Sequence, residues 1–283
     1  SAAKNAKLEA AGAGAIVLKS LFEEQIMMEA DRLRNPSYYP EGSDYLAEYI
    51  RNHKLAEYLE LIKESKKICT IPVIASINCY TDAEWVDFAK QIEEAGADAL
   101  EINILALQSD IQYKYGSFEQ RHIDILSHIK KTIRIPVIMK LGSNFTNPVA
   151  LIDQLYANGA AAVVLFNRFY QPDIDVEKME HTSGDVFSNA SDLSTTLRWI
   201  GISSSLVSKI DYAASGGIHK PDGIVKAILA GASAIEICSA IYQNTNLFVG
   251  EMNRFLSAWM ERKGFKHISQ FKGKLNAKDV EGI

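Results

Sequence analysis

A phrase that recurs four times along the chain restricts the fold more than any other feature. The copies lie at 9–20, 93–103, 156–167 and 229–239, and each contains a helix end, a glycine and an apolar run that finishes on a polar residue. The glycine fits the position just after a helix, where left-handed backbone geometry excludes most other residues. The apolar run suits a strand that is buried on both faces. The phrase therefore predicts four helix–strand units.

Three further apolar segments predict additional strands. Two of them, 71–78 and 135–142, begin with the same letters, IPVI, and the third lies at 210–217. Apolar residues at helical spacing separate these strands, and a helix at about 2–11 precedes the first of them. Alternation of helices with strands buried on both faces is typical of a parallel sheet with helices outside it.

Polar residues or glycines end nearly every predicted strand. An open doubly wound sheet and a closed barrel both fit the alternation, but only a barrel would gather these strand ends on one face, where barrel active sites lie. The strand ends are Lys19, Asn78, Asn103, Lys140, Asn167, the pair Gly216 and Gly217, and Ser239. We therefore predict an α/β fold, a (βα)8 TIM barrel formed by a single domain over 1–283.

The predicted strands are one short of a complete barrel. Seven strands are recognised, and the chain as given opens in a helix that should follow a strand. We therefore expect the barrel to lack its first strand in this chain, and a strand-forming segment to precede Ser1. Two long segments without a clear pattern, at about 20–44 and 168–191, are predicted to be loops. The polar stretch 183–189 within the second is expected to be flexible.

Composition and charge exclude several classes of protein. The net charge is −5 and no basic cluster is present, which argues against a nucleic-acid partner. No apolar run is long enough to cross a bilayer, so no membrane association is expected. Sparse cysteines (Cys69, Cys79 and Cys238) without a CxxC pair indicate reduced thiols and a cytoplasmic location. Histidine spacing predicts no metal site.

Two of the strand ends suggest an anion site. Gly216 and Gly217 follow a predicted strand and precede Pro221, which fits the first position of a helix. Bare backbone N–H groups beside a helix N-terminus bind phosphate, and barrels commonly bind phosphate after their last two strands. Cys238 and Ser239, at the next strand end, would add further donors. The alternative is that the two glycines merely form a tight turn.

The remaining strand ends carry cations and amides. Lys19 and Lys140 suit an anionic ring system or substrate, and the alternative is an ion pair, with Glu101 as a candidate partner. Three asparagines offer a donor and an acceptor together, which suits a heterocycle with amide-like edges. They are Asn78, Asn103 and Asn167.

Several short motifs, in order along nearly the whole chain, resemble the soluble class of dihydroorotate dehydrogenases. The motifs are VLKS at 17–20, EIN at 101–103, IMK at 138–140, FN at 166–167, ASGGI at 214–218, LAGASAIEICSAIY at 229–242 and the tail FKHISQFKGKLN at 265–276. The resemblance implies an FMN-dependent oxidoreductase of pyrimidine biosynthesis that converts dihydroorotate to orotate. It implies a small-molecule substrate and is compatible with a homodimer.

The resemblance also implies a role for each strand end. Lys19 would contact flavin and substrate and take part in catalysis. Asn78 and Lys140 would hold the ribityl chain and flavin ring, while Asn103 and Asn167 would bind the pyrimidine ring, with Asn103 also close to the cofactor. The FMN phosphate would be held by Ser215, Gly216, Gly217, Cys238 and Ser239.

Two positions depart from the family pattern. The family carries its catalytic Cys or Ser three residues after the substrate asparagine, where this chain has Ala106, and a serine after the later asparagine, where this chain has Arg168. Alanine cannot remove a proton, so the hydroxyl of Ser109 is a candidate replacement. Two alternatives stay open. One is a flavin-free phosphate-ligand barrel of the isomerase or aldolase type, with Lys19 or Lys140 as a Schiff-base lysine, and the other is a non-catalytic flavin-binding barrel.

Overall fold

A computed structural model describes residues 1–22, 41–78, 85–169 and 171–279, with the backbone alone described for 41–51, Phe22 and Asp279. The chain divides into two compact units, Ser1–Ile138 and Met139–Ile283. The single domain over 1–283 stays a prediction. Cys79 and most of the loop at 20–44 lie outside the described residues.

The first unit alternates helices with parallel strands. Its elements are α1 Ala2–Ala10, β1 Ile16–Val17, β2 Leu21–Phe22, α2 Glu41–Ile68, β3 Val73–Asn78, α3 Trp85–Glu94, β4 Ala99–Asn103 and α4 Ser117–Thr132. Strands β1 and β2 both pair with β3, and β3 pairs with β4, all in parallel. The next strand, β5 Val137–Gly142, crosses the boundary between the units.

Helices α2 and α3 of the first unit bury the faces that their apolar spacing predicts. In α3 the buried residues are Trp85, Phe88, Ala89 and Ile92. In α2, Leu55, Tyr58 and Ile62 are buried. Because these residues recur every three or four positions, they form one stripe along each helix, and burial of apolar area supplies the main stabilisation.

The second unit repeats the alternation. Its elements are α5 Pro148–Ala157, β6 Ala162–Asn167, β7 Pro172–Asp175, β8 Glu180–Ser183, α6 Leu193–Leu206, β9 Asp211–Ser215, α7 Asp222–Ala230, β10 Ala234–Glu236, α8 Ser239–Asn244 and α9 Leu247–Lys263. Strand β9 pairs in parallel with β6 and with β10, whereas β7 and β8 form an antiparallel hairpin. Short 3-10 helices cover Ala190–Asp192, Ile268–Gln270 and Ala277–Asp279.

The glycines of the recurring phrase adopt the predicted geometry. All four (Gly12, Gly96, Gly159 and Gly231) have a positive φ after a helix. At Gly231, φ is 128°, and an added Cβ would lie 2.2 Å from the Ser204 hydroxyl oxygen. Backbone geometry and packing therefore both require glycine at this position.

The seven predicted strands are present, and none precedes α1 among the described residues. The two predicted loops were partly wrong, because the first contains β2 and the second contains the hairpin β7–β8. Pro221 precedes α7 rather than occupying its first position. Ser239 begins α8, so the strand end predicted there is wrong by a few residues. No described helix is long and apolar enough to span a membrane.

Candidate active site

Four buried polar residues project from one face of the pair β3–β4. Ser76 lies opposite Glu101 in the strand register, and Asn78 lies opposite Asn103. Residues two apart in a strand lie on the same face of the sheet. All four side chains therefore project to one side. Their exposed fractions run from 1% for Ser76 and Glu101 to 7% for Asn78. Burial of four polar side chains is stable only where hydrogen bonds offset their loss of hydration.

A hydrogen-bonded chain joins the Ser20 hydroxyl to the Glu101 carboxylate. The Ser76 hydroxyl donates to Glu101 Oε1 over 2.8 Å and lies 2.7 Å from the Ser20 hydroxyl. A hydroxyl has one proton to donate, and Ser76 gives its proton to Glu101, so Ser20 donates to Ser76. The Asn103 amide nitrogen lies 3.3 Å from the Ser20 oxygen and 3.5 Å from Glu101 Oε1.

Tyr58 fixes the position of Ser76 in this chain. Its hydroxyl donates to the Ser76 carbonyl oxygen over 3.0 Å and accepts from the Ser76 amide over 2.7 Å. Burial, with a smaller contribution from nearby Glu101, raises the pKa of Tyr58. The phenol therefore stays neutral and serves as a fixed donor.

The segment after β4 contains the two residues that bear on a catalytic base. The Leu105 amide donates to Asn78 Oδ1 over 3.3 Å, which ties the start of this segment to β3. Ala106 is half-buried, and Ser109 is exposed. Lys19, after β1, is also exposed.

In the second unit, Lys140 forms an ion pair with Glu236. The Lys140 ammonium nitrogen lies 2.7 Å from Glu236 Oε2, and both side chains are less than a fifth exposed. The ion pair agrees with the alternative interpretation of the strand-end lysines, with the carboxylate supplied by β10; pairing with Glu101 stays a prediction. Burial raises the pKa of the Cys238 thiol, with Lys140 opposing the shift, so Cys238 carries no activated thiolate.

The two glycines after β9 serve different purposes. Gly216 has a φ of 92°, and a Cβ added there would meet nothing closer than the Phe166 carbonyl oxygen at 4.0 Å. At Gly217 an added Cβ would lie 2.1 Å from the Leu193 amide nitrogen. Packing against the start of α6 therefore requires Gly217, whereas the space beside Gly216 is open to an approaching anion.

Ser188 is a residue that sequence analysis missed. It is 8% exposed. Its amide donates to the Ser239 hydroxyl over 3.1 Å, and its hydroxyl lies 2.9 Å from His219 Nε2. These contacts tie the stretch expected to be flexible to two elements near Gly216. Because Ser239 accepts with its oxygen, its proton is available to a ligand.

Arg168 explains how the stretch before α6 is held. Its guanidinium donates to the carbonyl oxygens of Asp185 and Val186 over 2.5 and 3.0 Å. It also lies 3.7 Å from the Asp192 carboxylate. The preceding residue, Asn167, is half-buried, and its Oδ1 accepts from the Arg168 amide over 3.0 Å. Arg168 therefore holds the backbone of residues 185 and 186 in place. This contact gives a structural reason for arginine at a position where the family has serine.

Comparison with known proteins identifies the family. The family model of dihydroorotate dehydrogenase matches residues 7–260. The chain belongs to the dihydroorotate dehydrogenase family. It is 26% identical to the catalytic subunit of dihydroorotate dehydrogenase B (NAD(+)) from Thermoplasma volcanium, covering 93% of this chain and 86% of that relative. It is 28% identical to a putative dihydroorotate dehydrogenase A (fumarate) from Aeropyrum pernix, covering 84% and 79%.

A solved structure supports the same fold. The crystal structure of DHODH from Eimeria tenella in complex with ferulenol matches with a TM-score of 0.61 at 15% identity, over 78% of this chain and 66% of that chain. The predicted (βα)8 barrel lacking its first strand is thereby confirmed as the fold class. Among residues 1–22, 41–78, 85–169 and 171–279, no cluster of potential metal ligands is present. The cytoplasmic location and the homodimer stay predictions.

Proposed function

We propose that the chain is an FMN-dependent oxidoreductase that converts dihydroorotate, or a closely related ring, to its oxidised form in pyrimidine biosynthesis. Family membership supports an oxidoreductase. The observation that carries the ring specificity is the pair Asn78 and Asn103, opposed in register and buried at adjacent strand ends. Amides with both a donor and an acceptor match the edges of a pyrimidine or an isoalloxazine.

The phosphate of FMN is assigned to the second unit. Ser215, Gly216 and Gly217 would supply backbone donors, and Cys238 and Ser239 would add to them. The fit rests on the open space beside Gly216 and on the available proton of the Ser239 hydroxyl. Bare N–H groups in left-handed geometry form such anion sites.

The remaining contacts follow the family pattern. Lys19 and Asn103 would contact the substrate and the cofactor, and Asn167 would contact the substrate. Asn78 and Lys140 would hold the flavin. Flavin supplies the hydride acceptor when bound, while the chain's residues bind and orient the ring and receive a proton. Ser109 remains the residue that sequence proposes for that proton.

Ala106 favours a second candidate, a flavin-binding barrel without this activity. One experiment separates the candidates. The full chain is reconstituted with FMN, its visible absorption is recorded, and dihydroorotate is added without oxygen. Bound flavin that bleaches supports the proposed enzyme, and bound flavin that stays oxidised supports the non-catalytic barrel. Failure to bind FMN at any concentration contradicts both and favours the flavin-free phosphate-ligand enzyme.

A further inference from the structure

We propose that Ser20 accepts the substrate proton and passes a proton through Ser76 to Glu101, a relay that replaces the base missing at Ala106. The inference rests on the proposed function, because it needs a ring that loses a proton and a hydride. It assigns a catalytic role to Ser20, which contacts substrate, and positioning roles to Ser76 and Glu101, which act through it.

The hydrogen bonds between Ser20, Ser76 and Glu101 run in one direction. Two contacts of 2.7 and 2.8 Å join three side chains into one line. Since Ser76 donates to Glu101 and Ser20 donates to Ser76, every proton already points toward the carboxylate. Both distances lie in the normal range for O–H···O bonds, so no rearrangement is needed before transfer.

Exposure to solvent differs between the two ends of this hydrogen-bonded chain. Ser20 is half-buried, whereas Ser76 and Glu101 are each 1% exposed. Only the Ser20 end is therefore open to a ligand. The far end is a buried carboxylate, whose oxygens can accept the proton that the chain of hydroxyls delivers.

A substrate ring held by Asn103 would lie close to the Ser20 oxygen. The Asn103 amide nitrogen is 3.3 Å from the Ser20 oxygen, and Asn103 is a proposed contact of the substrate. A ring bound by Asn103 therefore comes within reach of the Ser20 hydroxyl. In contrast, Ser109 is exposed, and Ala106 has no group that titrates.

The chemistry balances with the flavin as oxidant. A C–H bond of the ring breaks, and its proton joins the Ser20 oxygen while the Ser20 proton moves to Ser76 and the Ser76 proton moves to Glu101. The electron pair of that bond forms the new carbon–carbon double bond. A hydride leaves the neighbouring carbon for the oxidised flavin. Each serine loses one proton and gains one, so both end neutral, and Glu101 ends protonated until the proton returns through Ser76 and Ser20 after the product leaves.

The experiment uses the FMN-loaded full chain with Ser20→Ala, Ser76→Ala and Glu101→Gln. Flavin reduction by dihydroorotate is followed without oxygen, and FMN and substrate affinities are measured in parallel. Each variant is expected to reduce its flavin at least ~10²-fold more slowly, the usual contribution of a positioned base. Ser20→Thr, which keeps the hydroxyl, is expected to retain most of the rate.

Two matched controls separate the relay from general damage. Ser205→Ala removes a half-buried hydroxyl that donates to the Ile202 carbonyl of its own helix, and Glu93→Gln removes a carboxylate charge at a backbone contact. Both are expected to leave the rate unchanged. A deuterium isotope effect at the proton-donating carbon is expected to rise in Ser20→Ala and Glu101→Gln, which displacement of the ring alone would not produce selectively.

The outcomes distinguish the relay from the proposed function. Fast reduction in the wild type with equally fast reduction in Ser20→Ala and Glu101→Gln overturns the relay and leaves the oxidoreductase standing. No reduction in the wild type removes the oxidoreductase and the relay together. If Ser76→Ala fails to fold, Glu101→Gln tests the buried end of the relay, because glutamine keeps the side-chain volume and an acceptor oxygen.

Discussion

Lys140 on β5 and Glu236 on β10 form an ion pair of 2.7 Å in which both side chains are mostly buried. The ion pair changes the interpretation of Lys140 as a strand-end cation for an anionic ligand, because Glu236 already balances its charge inside the protein. Removing Lys140 leaves Glu236 largely desolvated without its cation, which costs more than removing both members.

A double-mutant cycle tests this pair. Lys140→Met is expected to lower the free energy of unfolding by about 1–3 kcal/mol, less than for fully buried pairs because some solvent screens the charges. Lys140→Met combined with Glu236→Gln is expected to recover part of that loss. Urea unfolding measures all four proteins. Strictly additive effects would show that the two side chains are not coupled.

The two glycines after β9 are predicted to differ in what they are needed for. Gly217→Ala is expected to destabilise the fold strongly, because its Cβ would collide with the Leu193 amide. Gly216→Ala has room and is expected to cost about 1–2 kcal/mol, the strain of a left-handed residue. Thermal unfolding of the two variants measures the difference.

Gly216→Asp tests the phosphate site directly. It adds a negative charge where the FMN phosphate is proposed to approach, so FMN affinity is expected to fall at least ~10-fold, the effect of about 1.4 kcal/mol. Gly116→Asp is the matched control, since Gly116 has a similar φ of 81° and equally open surroundings. Full FMN occupancy in Gly216→Asp would contradict the site.

The strand ends were predictable because the apolar runs stop at them. Asn78, Asn103 and Asn167 each close a strand, as their sequence positions indicated. The family pattern added roles to these residues, but sequence analysis assigned no role to Ser20 or Ser76 and named Glu101 only as a candidate ion-pair partner. A signal existed, since Ser76 and Glu101 stand two residues before asparagines and therefore share their face of the sheet.

Pairing between distant residues could not be predicted in the same way. Glu236 and Lys140 are far apart in sequence, and no local sequence pattern indicates which carboxylate a lysine will contact. Ser188 could not be recognised from the sequence, because it lies in a polar stretch without periodicity. Its burial depends on the Ser239 and His219 contacts, which only the folded chain brings together.

Stability is predicted to depend on pH through His122. Burial lowers the pKa of His122 to about 4, and in the unfolded chain an ordinary histidine titrates near 6.5. Between these values the unfolded state binds more protons, so the free energy of unfolding falls as pH falls from about 6.5 to about 4. The loss is on the order of 2–3 kcal/mol at 1.36 kcal/mol per pKa unit.

His122→Asn is expected to flatten this pH dependence while lowering stability at neutral pH. His128→Asn is the matched control, because His128 lies on the same helix and is exposed. Denaturant titrations at several pH values provide the measurement. An unchanged slope in His122→Asn would assign the pH dependence to other groups.

Ala106 and Ser109 provide the last prediction, which concerns the rate of the proton-removal step. We expect dihydroorotate oxidation to be slower than in relatives with Cys or Ser at the position of Ala106, because the Ser20 relay supplies only part of the ~10²–10⁴-fold that a directly positioned base contributes. Ala106→Cys is therefore expected to speed flavin reduction. In a Ser20→Ala background the same change is expected to restore reduction, since a thiolate would receive the proton that the relay no longer takes. Anaerobic stopped-flow reduction measures both rates.

Ser109→Ala distinguishes the two sources of a replacement base. If Ser109 receives the proton, its loss slows reduction while Ser20→Ala does not. If the relay through Ser20 receives the proton, Ser20→Ala slows reduction and Ser109→Ala does not. The exposed position of Ser109 favours this second result. Wild-type turnover equal to that of Cys- or Ser-bearing relatives would contradict the claim that alanine at position 106 slows the reaction. Rescue of Ser20→Ala by Ala106→Cys would place both positions beside the same ring carbon, because each could only act by removing the same proton.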